Sequence, residues 1–289
     1  MSDPLDGGTV GAVGLVGLGQ IGAPMGNRLL GWPGGLVVFD VRPEATEEIA
    51  GKGAIVAESV AALGGAVDVV SVMVRDDAQV RDVVAELLTT ARPGTVIAIH
   101  STIRAETAEE LAPVAAERGV AVLDVPVSGG FIGAIDGTLA AMVGGDRSAY
   151  ERAKPVFACW ATVVVHMGEV GAGTRTKLAR NLMQFSAYVS AFEAQKLAEA
   201  AGLDLGKLTR VVRHSDSVTG GPSSIMVRDR TGLMDESDGL FGIFCHTRDL
   251  GEKDLSLALE LADDLGLDLP MAQMALRDLA ASMGVPRPD

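Results

Sequence analysis

Six short β-branched runs punctuate the first 167 residues: AVGLV at 12–16, LVVFD at 36–40, VDVVSVMV at 67–74, TVIAIH at 95–100, VAVLDVPV at 120–127 and TVVVHM at 162–167. Amphipathic stretches of helical period separate several of them. Runs this apolar belong to strands buried on both faces, and their alternation with helices predicts a parallel, doubly wound sheet. After Gly168 the pattern changes. Residues 173–201 lack proline, have no glycine after Gly173 and are rich in Ala, Leu, Lys and Glu, which predicts one long helix. Lys207 to His214, Lys253 to Leu265 and Met271 to Met283 also read as helices, and no strand pattern of comparable quality returns. The expected division is an α/β domain over 1–167 and an all-α domain over 168–289. The Gly- and Ser-rich stretch Ser215 to Ser224 reads as a loop, either facing a ligand or serving as a plain surface connection.

Composition narrows the function. With 38 acidic against 24 basic residues the net charge is −14, and no run of clustered Lys and Arg offsets it. Such a chain repels nucleic acid and anionic membranes, so neither is expected as a partner. Cys159 and Cys245 lack disulfide-framework or zinc-site spacing, and no metal is expected. The first ten residues show no leader pattern and no apolar run approaches a membrane span, which makes the reducing cytoplasm the expected location.

The glycines carry the first motif. Gly17-Leu18-Gly19-Gln20-Ile21-Gly22 follows the run Val13 to Val16 and opens a helical pattern containing Met25, Leu29 and Leu30. In that context the glycines allow a tight turn, close approach of backbone to a pyrophosphate, and tight packing of helix on strand. The helix N-terminus adds free N–H groups and partial positive charge. Asp40 ends the second run, 23 residues after Gly17, where a carboxylate accepts hydrogen bonds from ribose hydroxyls. A dinucleotide is therefore the expected cofactor; a methyltransferase with a similar glycine loop remains the competing reading of this half.

Two further motifs suit a small acid. Ser128, Gly129 and Gly130 follow an apolar strand directly, and backbone N–H groups beside a hydroxyl form an anion cradle sized for a carboxylate. Lys177 and Asn181 stand at i and i+4 and project from one helical face. Gln184, Phe185, Tyr188 and Phe192 continue that face, an apolar setting expected to desolvate the lysine and lower its pKa toward the range useful for proton transfer.

In this order the motifs resemble the β-hydroxyacid dehydrogenase family, which includes 3-hydroxyisobutyrate, tartronate semialdehyde and 6-phosphogluconate dehydrogenases. The resemblance rests on GLVGLGQIGAPMGNRLL at 14–30, HSTI at 100–103, DVPVSGGFIGAIDGTLAAMVGGD at 124–146, GEVGAGTRTKLARN at 168–181 and KDLSLAL at 253–259. It implies a Rossmann domain joined through the long helix to an all-helical domain. It also implies a dehydrogenase using NAD, with NADP as the alternative, on a small 3-hydroxy acid or its semialdehyde. Lys177 would then move the proton, Asn181 would hold substrate, and Ser128 to Gly130 would take its carboxylate. Ser101 and Thr102 match the segment beside the nicotinamide, and Lys253 and Asp254 match a pair reaching cofactor and substrate. Met73 and Val74 stand on the cofactor side, where many relatives carry Leu-Pro. His246 and Arg248 read as exposed loop groups. A homodimer or homotetramer is the assembly the family implies. The alternatives are an imine or semialdehyde reductase and a non-catalytic NAD-binding sensor; retention of Lys177 disfavours both.

Overall fold

The structure, a computed structural model, describes residues 10–228 and 231–287. The N-terminal stretch read for a leader pattern lies almost wholly outside them, at residues 1–9. The chain divides into two compact units, Met1–Asn181 and Leu182–Asp289.

In the first unit a sheet takes the order β3-β2-β1-β4-β5-β6-β8-β7. Its strands are β1 (Val13–Val16), β2 (Leu36–Phe39), β3 (Ile55–Val56), β4 (Val69–Val72), β5 (Val96–Ile99), β6 (Ala121–Asp124), β7 (Val127–Ser128), β8 (Leu139–Gly144) and β9 (Ala161–Gly168). From β3 through β6 every pairing is parallel. The expected parallel, doubly wound sheet is present, with an addition at its far end: β8 runs antiparallel to β6 and β7, and β9 pairs in parallel with β8. The run at 120–127 divides because Pro126, which has no N–H to give a ladder, sits between β6 and β7.

Helices cover both faces. On one lie α1 (Gly22–Leu29), α2 (Glu44–Gly51), α6 (Gly130–Asp136) and α7 (Arg147–Phe157); on the other, α3 (Val60–Ala66), α4 (Asp77–Leu87) and α5 (Ala105–Ala116). Strand periodicity sorts the core accordingly. Val13, Leu15, Val69, Val96, Ala98 and Leu123 join the first layer with Met25, Phe157 and Trp160, whereas Val16, Val70, Val72, Ile97, Ile99 and Val122 join the second with Leu63, Val84 and Leu87. Each fully buried Val or Leu contributes about 1.5–3 kcal/mol of burial, so these two layers fix the strand ends that carry the motifs.

The long helix α8 spans Ala172–Ala200, close to its sequence expectation, and passes from the first unit into the second. The second unit continues with α9 (Leu205–Thr219), a 3-10 turn (Gly221–Ile225), α10 (Phe241–Asp264) and α11 (Pro270–Met283). Half of the expected Ser215 to Ser224 loop is thus the last turn of α9, which Gly220 ends in a left-handed conformation. Glu193 is buried and accepts from the Met271 and Ala272 N–H groups at 2.9 and 3.0 Å, capping α11 from α8. Arg248 corrects a second expectation: it lies on α10, is buried, and donates to Asp249 and to the Pro286 carbonyl. His246 is exposed on the same helix. Among the described residues no helix is long and apolar enough to cross a membrane, and no cluster of three or more His, Cys, Asp or Glu groups forms a metal site.

Candidate active site

The C-terminal ends of β1, β2, β4, β5 and β7 carry the residues singled out in the first unit, apart from Lys177 and Asn181 on α8. After β1, the three glycines differ in what demands them. A Cβ on Gly17, whose φ is +95°, would lie 2.2 Å from the Met73 carbonyl oxygen, and one on Gly22 would lie 2.0 Å from that of Gly17. Gly19 is exposed, with nothing within 4 Å of where its Cβ would stand. The first and last glycines are therefore required by the protein's own backbone. The middle one leaves an open surface that a Cβ would fill, as close approach of a pyrophosphate needs. In the first turn of α1 the Ala23 N–H is bonded to the Gly19 carbonyl at 3.0 Å and Pro24 has no N–H, so the turn offers a pyrophosphate chiefly the helix's partial positive charge and the backbone that leads into it. These residues fit a dinucleotide.

Asp40 closes the same corner. Its Oδ2 accepts the Leu18 N–H at 2.7 Å, while Oδ1 accepts the Arg42 N–H at 2.9 Å and the Arg42 Nε–H at 3.2 Å. Burial opposes ionisation, but these bonds and the guanidinium charge outweigh it and hold the carboxyl below its usual range. Leu18 itself contributes backbone here, since its side chain is core.

Beyond β4 the backbone at Met73 and Val74 is fixed by Ser101. The buried Ser101 Oγ accepts the Val74 N–H at 2.9 Å and donates to the Val74 carbonyl at 2.7 Å. Its hydroxyl thus secures the neighbouring loop, and Thr102 is the exposed member of the pair. One residue earlier, His100 is fully buried. Its Nδ1 lies 2.9 Å from the Val125 carbonyl, so that nitrogen carries the proton, and Nε2 accepts from the Ser71 hydroxyl at 2.9 Å. Desolvation pushes its pKa down to about 4, against the opposing pull of the Val125 carbonyl.

At β7 the chain turns through Gly129 and Gly130, with φ of +132° and +65°. A Cβ on Gly129 would press on Leu139 at 2.9 Å, whereas one on Gly130 would meet nothing within 4 Å. Ser128 is half-buried and pairs with Ala140. Against this segment lies Lys177, whose Nζ donates to the Val127 carbonyl at 2.6 Å. Burial lowers the Lys177 pKa, and the positive charge of Arg180, three residues on, lowers it further. The desolvation has a different source from the one expected from sequence: Phe185, Tyr188 and Phe192 are exposed, and the amine is covered where it meets the end of the sheet. Half-buried Asn181 accepts from Arg180 Nη1 at 3.3 Å.

In the second unit Lys253 and Asp254 lie exposed on α10, paired with each other at 3.1 Å. Three residues of this region were not singled out from sequence as functional: His100, Asp124 and Arg180. All stand inside the quoted motifs, and a charged or titratable group adjoining a motif position was the available signal.

A glycine-rich turn into a helix N-terminus, an acidic residue ending the second strand, and a half-buried lysine beside a Ser-Gly-Gly turn define a dinucleotide-dependent dehydrogenase. Comparison with known proteins narrows the class. Residues 12–168 match the family described as the NAD binding domain of 6-phosphogluconate dehydrogenase, and residues 171–284 match the NAD-binding domain of NADP-dependent 3-hydroxyisobutyrate dehydrogenase. An uncharacterised oxidoreductase of Mycobacterium tuberculosis is 53% identical over 96% of this chain and 95% of its own. An NAD-dependent L-serine dehydrogenase of Pseudomonas aeruginosa is 35% identical over 91% of this chain and 89% of its own. A crystal structure from Mycobacterium avium, 55% identical, superposes with a TM-score of 0.92 over 95% of this chain and 99% of that one. The chain belongs to the β-hydroxyacid dehydrogenase family, as an NAD(P)-binding oxidoreductase acting on hydroxyl groups.

Proposed function

We propose that this protein interconverts a small, non-phosphorylated 3-hydroxy acid and its semialdehyde or keto acid, with Lys177 as the general acid/base. The observation that carries the reading is the Lys177 amine, its pKa lowered by burial and held at 2.6 Å on the carbonyl next to Ser128. The similarity to an L-serine dehydrogenase supports the substrate class, because serine is itself a 3-hydroxy acid.

The Gly17 to Gly22 turn, Asp40 and the Met73, Val74, Ser101 and Thr102 segments would hold the dinucleotide. When bound, NAD(P) supplies the two-electron acceptor or donor. The remaining steps fall to side chains and backbone. One Lys177 N–H stays on the Val127 carbonyl and orients the amine. In the neutral form its lone pair takes the substrate hydroxyl proton as the alcohol becomes a carbonyl, and the ammonium returns that proton in reverse. Ser128, Gly129 and Gly130 receive the carboxylate through a hydroxyl and backbone N–H groups, while Asn181 offers an amide to the substrate. We further propose that the protein works as a homodimer or homotetramer in the cytoplasm and has no nucleic acid or membrane partner.

The test is the appearance of reduced nicotinamide with a panel of 3-hydroxy acids, including L-serine and 3-hydroxyisobutyrate, and their esters or amides. Turnover of at least one free acid and poor turnover of its amide are expected. An amide used as well as its acid would remove the carboxylate cradle from the mechanism.

A further inference from the structure

The carboxylate that caps the start of α8 comes from the sheet. Asp124, the last residue of β6, is completely buried. Its Oδ1 accepts the N–H of Gly171 at 2.7 Å and its Oδ2 accepts the N–H of Thr174 at 2.6 Å. Thr174 is the third residue of the helix, so the contact does the work of an N-cap across 50 residues of sequence. A carboxylate also complements the positive end of the helix dipole.

The surroundings leave this carboxylate little freedom. A Cβ on Gly144 would stand 2.2 Å from Asp124 Oδ1, and one on Gly173 would stand 2.3 Å from the Met142 carbonyl and 2.5 Å from the Asp124 carbonyl. Both glycines exist because backbone of β6, β8 and α8 converges here. The four residues from Asp124 to Val127 are then tied down in sequence. Val125 is bonded through its carbonyl to His100, Pro126 through its carbonyl to the Met142 N–H at 3.1 Å, and Val127 through its carbonyl to Lys177. The same short segment thus grips α8 twice, by the Asp124 side chain at its first turn and by the Val127 backbone at the lysine.

We propose that Asp124 is a positioning residue for catalysis, fixing the axial and rotational setting of α8 so that the Lys177 amine meets the Val127 carbonyl beside Ser128 to Gly130. The proposal rests on the reading of Lys177 as general acid/base. Asp124 touches neither substrate nor cofactor in it. The helix advances 1.5 Å and turns 100° per residue, and a displacement of about 1 Å at a reacting group can cost roughly 100-fold in rate.

Asp124→Asn is the direct test. The amide keeps one acceptor oxygen but turns an N–H₂ group toward the second backbone donor, so one grip is lost with little change in volume. Expected are native affinity for NADH by fluorescence titration, a kcat per folded molecule lowered roughly tenfold to 100-fold, and a rise in the apparent pKa of the kcat profile as the amine regains solvent. Asp124→Glu keeps both acceptor oxygens but adds a methylene where the packing leaves no room, so it should shift the start of α8 and lower kcat as well. A merely structural role would lower the melting temperature and leave kcat and its pH profile at native values in both variants, and that result overturns the proposal. Should Asp124→Asn not accumulate as folded protein, Asp124→Glu and amide exchange in the native protein carry the test: slow exchange at Gly171 and Thr174 is expected, and exchange as fast as at exposed helix starts overturns it. Lys177→Met separates the two readings. Full activity in that variant removes the general acid/base, whereas an inactive Lys177→Met beside a fully active Asp124→Asn removes only the positioning role.

Discussion

The Lys177 amine and the Val127 carbonyl meet at 2.6 Å, joining a helix and a strand 50 residues apart in sequence. Replacing the amine should leave the fold and NAD affinity nearly intact and lower kcat by roughly 10² or more, as for removal of a general acid/base. Lys177→Met measured by steady-state kinetics checks this, and near-native turnover would end the assignment.

The sign of the lysine's pKa gives a second expectation. Burial, followed by the charge of Arg180, disfavours the protonated form. Alcohol oxidation needs the neutral amine, so kcat/KM in that direction should rise with pH through an apparent pKa below the ordinary lysine value. Removing the Arg180 charge removes a like-charge repulsion and should shift that limb upward in Arg180→Gln. A profile unmoved in the variant, or moved downward, would show that another group titrates.

Cofactor choice turns on Asp40 and Arg42. Asp40 is held ionised by the Leu18 and Arg42 contacts, and its charge repels a 2′-phosphate while Arg42 is occupied at 3.2 Å. NAD should therefore have the higher kcat/KM. Asp40→Ser removes the repulsion and frees the guanidinium, so the preference should move toward NADP by roughly 10- to 100-fold, the worth of one charge-assisted hydrogen bond. Equal use of both cofactors by the native protein would show that Arg42 dominates.

Where sequence was informative, one segment carried its own signal. The β1–turn–α1 unit was legible because strand, glycine spacing and helix are contiguous, and α8 because it runs 29 residues without an internal breaker. Strand β8 escaped notice since LAAMVG lacks the β-branched density of its neighbours; its antiparallel course depends on pairing with β6 and β7, which no local pattern encodes. Arg248 read as a loop residue because Gly242 and Gly251 interrupt the helical pattern around it, and only the Pro286 carbonyl and Asp249 explain its burial. Asp124 and His100 were visible as motif letters, but their partners lie up to 50 residues away. Local periodicity reports which face is apolar and is silent about which backbone group a buried side chain will reach.

The second unit exposes more apolar surface than its small core accounts for. Leu182, Phe185, Val189 and Phe192 follow 3- and 4-residue spacing along α8 and are 73, 59, 47 and 61% exposed. An exposed apolar stripe of this kind is the face on which the proposed assembly would form. Light scattering should give a multiple of 29.8 kDa. Phe185→Glu with Phe192→Glu should reduce the mass toward one chain; a monomeric native protein at micromolar concentration would refute the assembly.

The two glycines after Ser128 separate binding from folding. A Cβ on Gly129 would press on Leu139 in a backbone conformation with φ of +132°, so Gly129→Ala should mainly lower the melting temperature. Gly130 differs: its φ of +65° is left-handed, which asparagine tolerates, and the space beyond its Cα is open. Gly130→Asn should then fold and bind NAD normally while its side chain occupies the proposed carboxylate position, raising KM for the acid by roughly tenfold or more, the equivalent of about 1.4 kcal/mol. Ser128→Ala should act in the same direction, costing about 1–2 kcal/mol for one charge-assisted hydrogen bond. Melting curves and KM measured side by side decide the matter. A Gly130→Asn protein with native KM would place the carboxylate elsewhere, whatever Gly129→Ala does to stability.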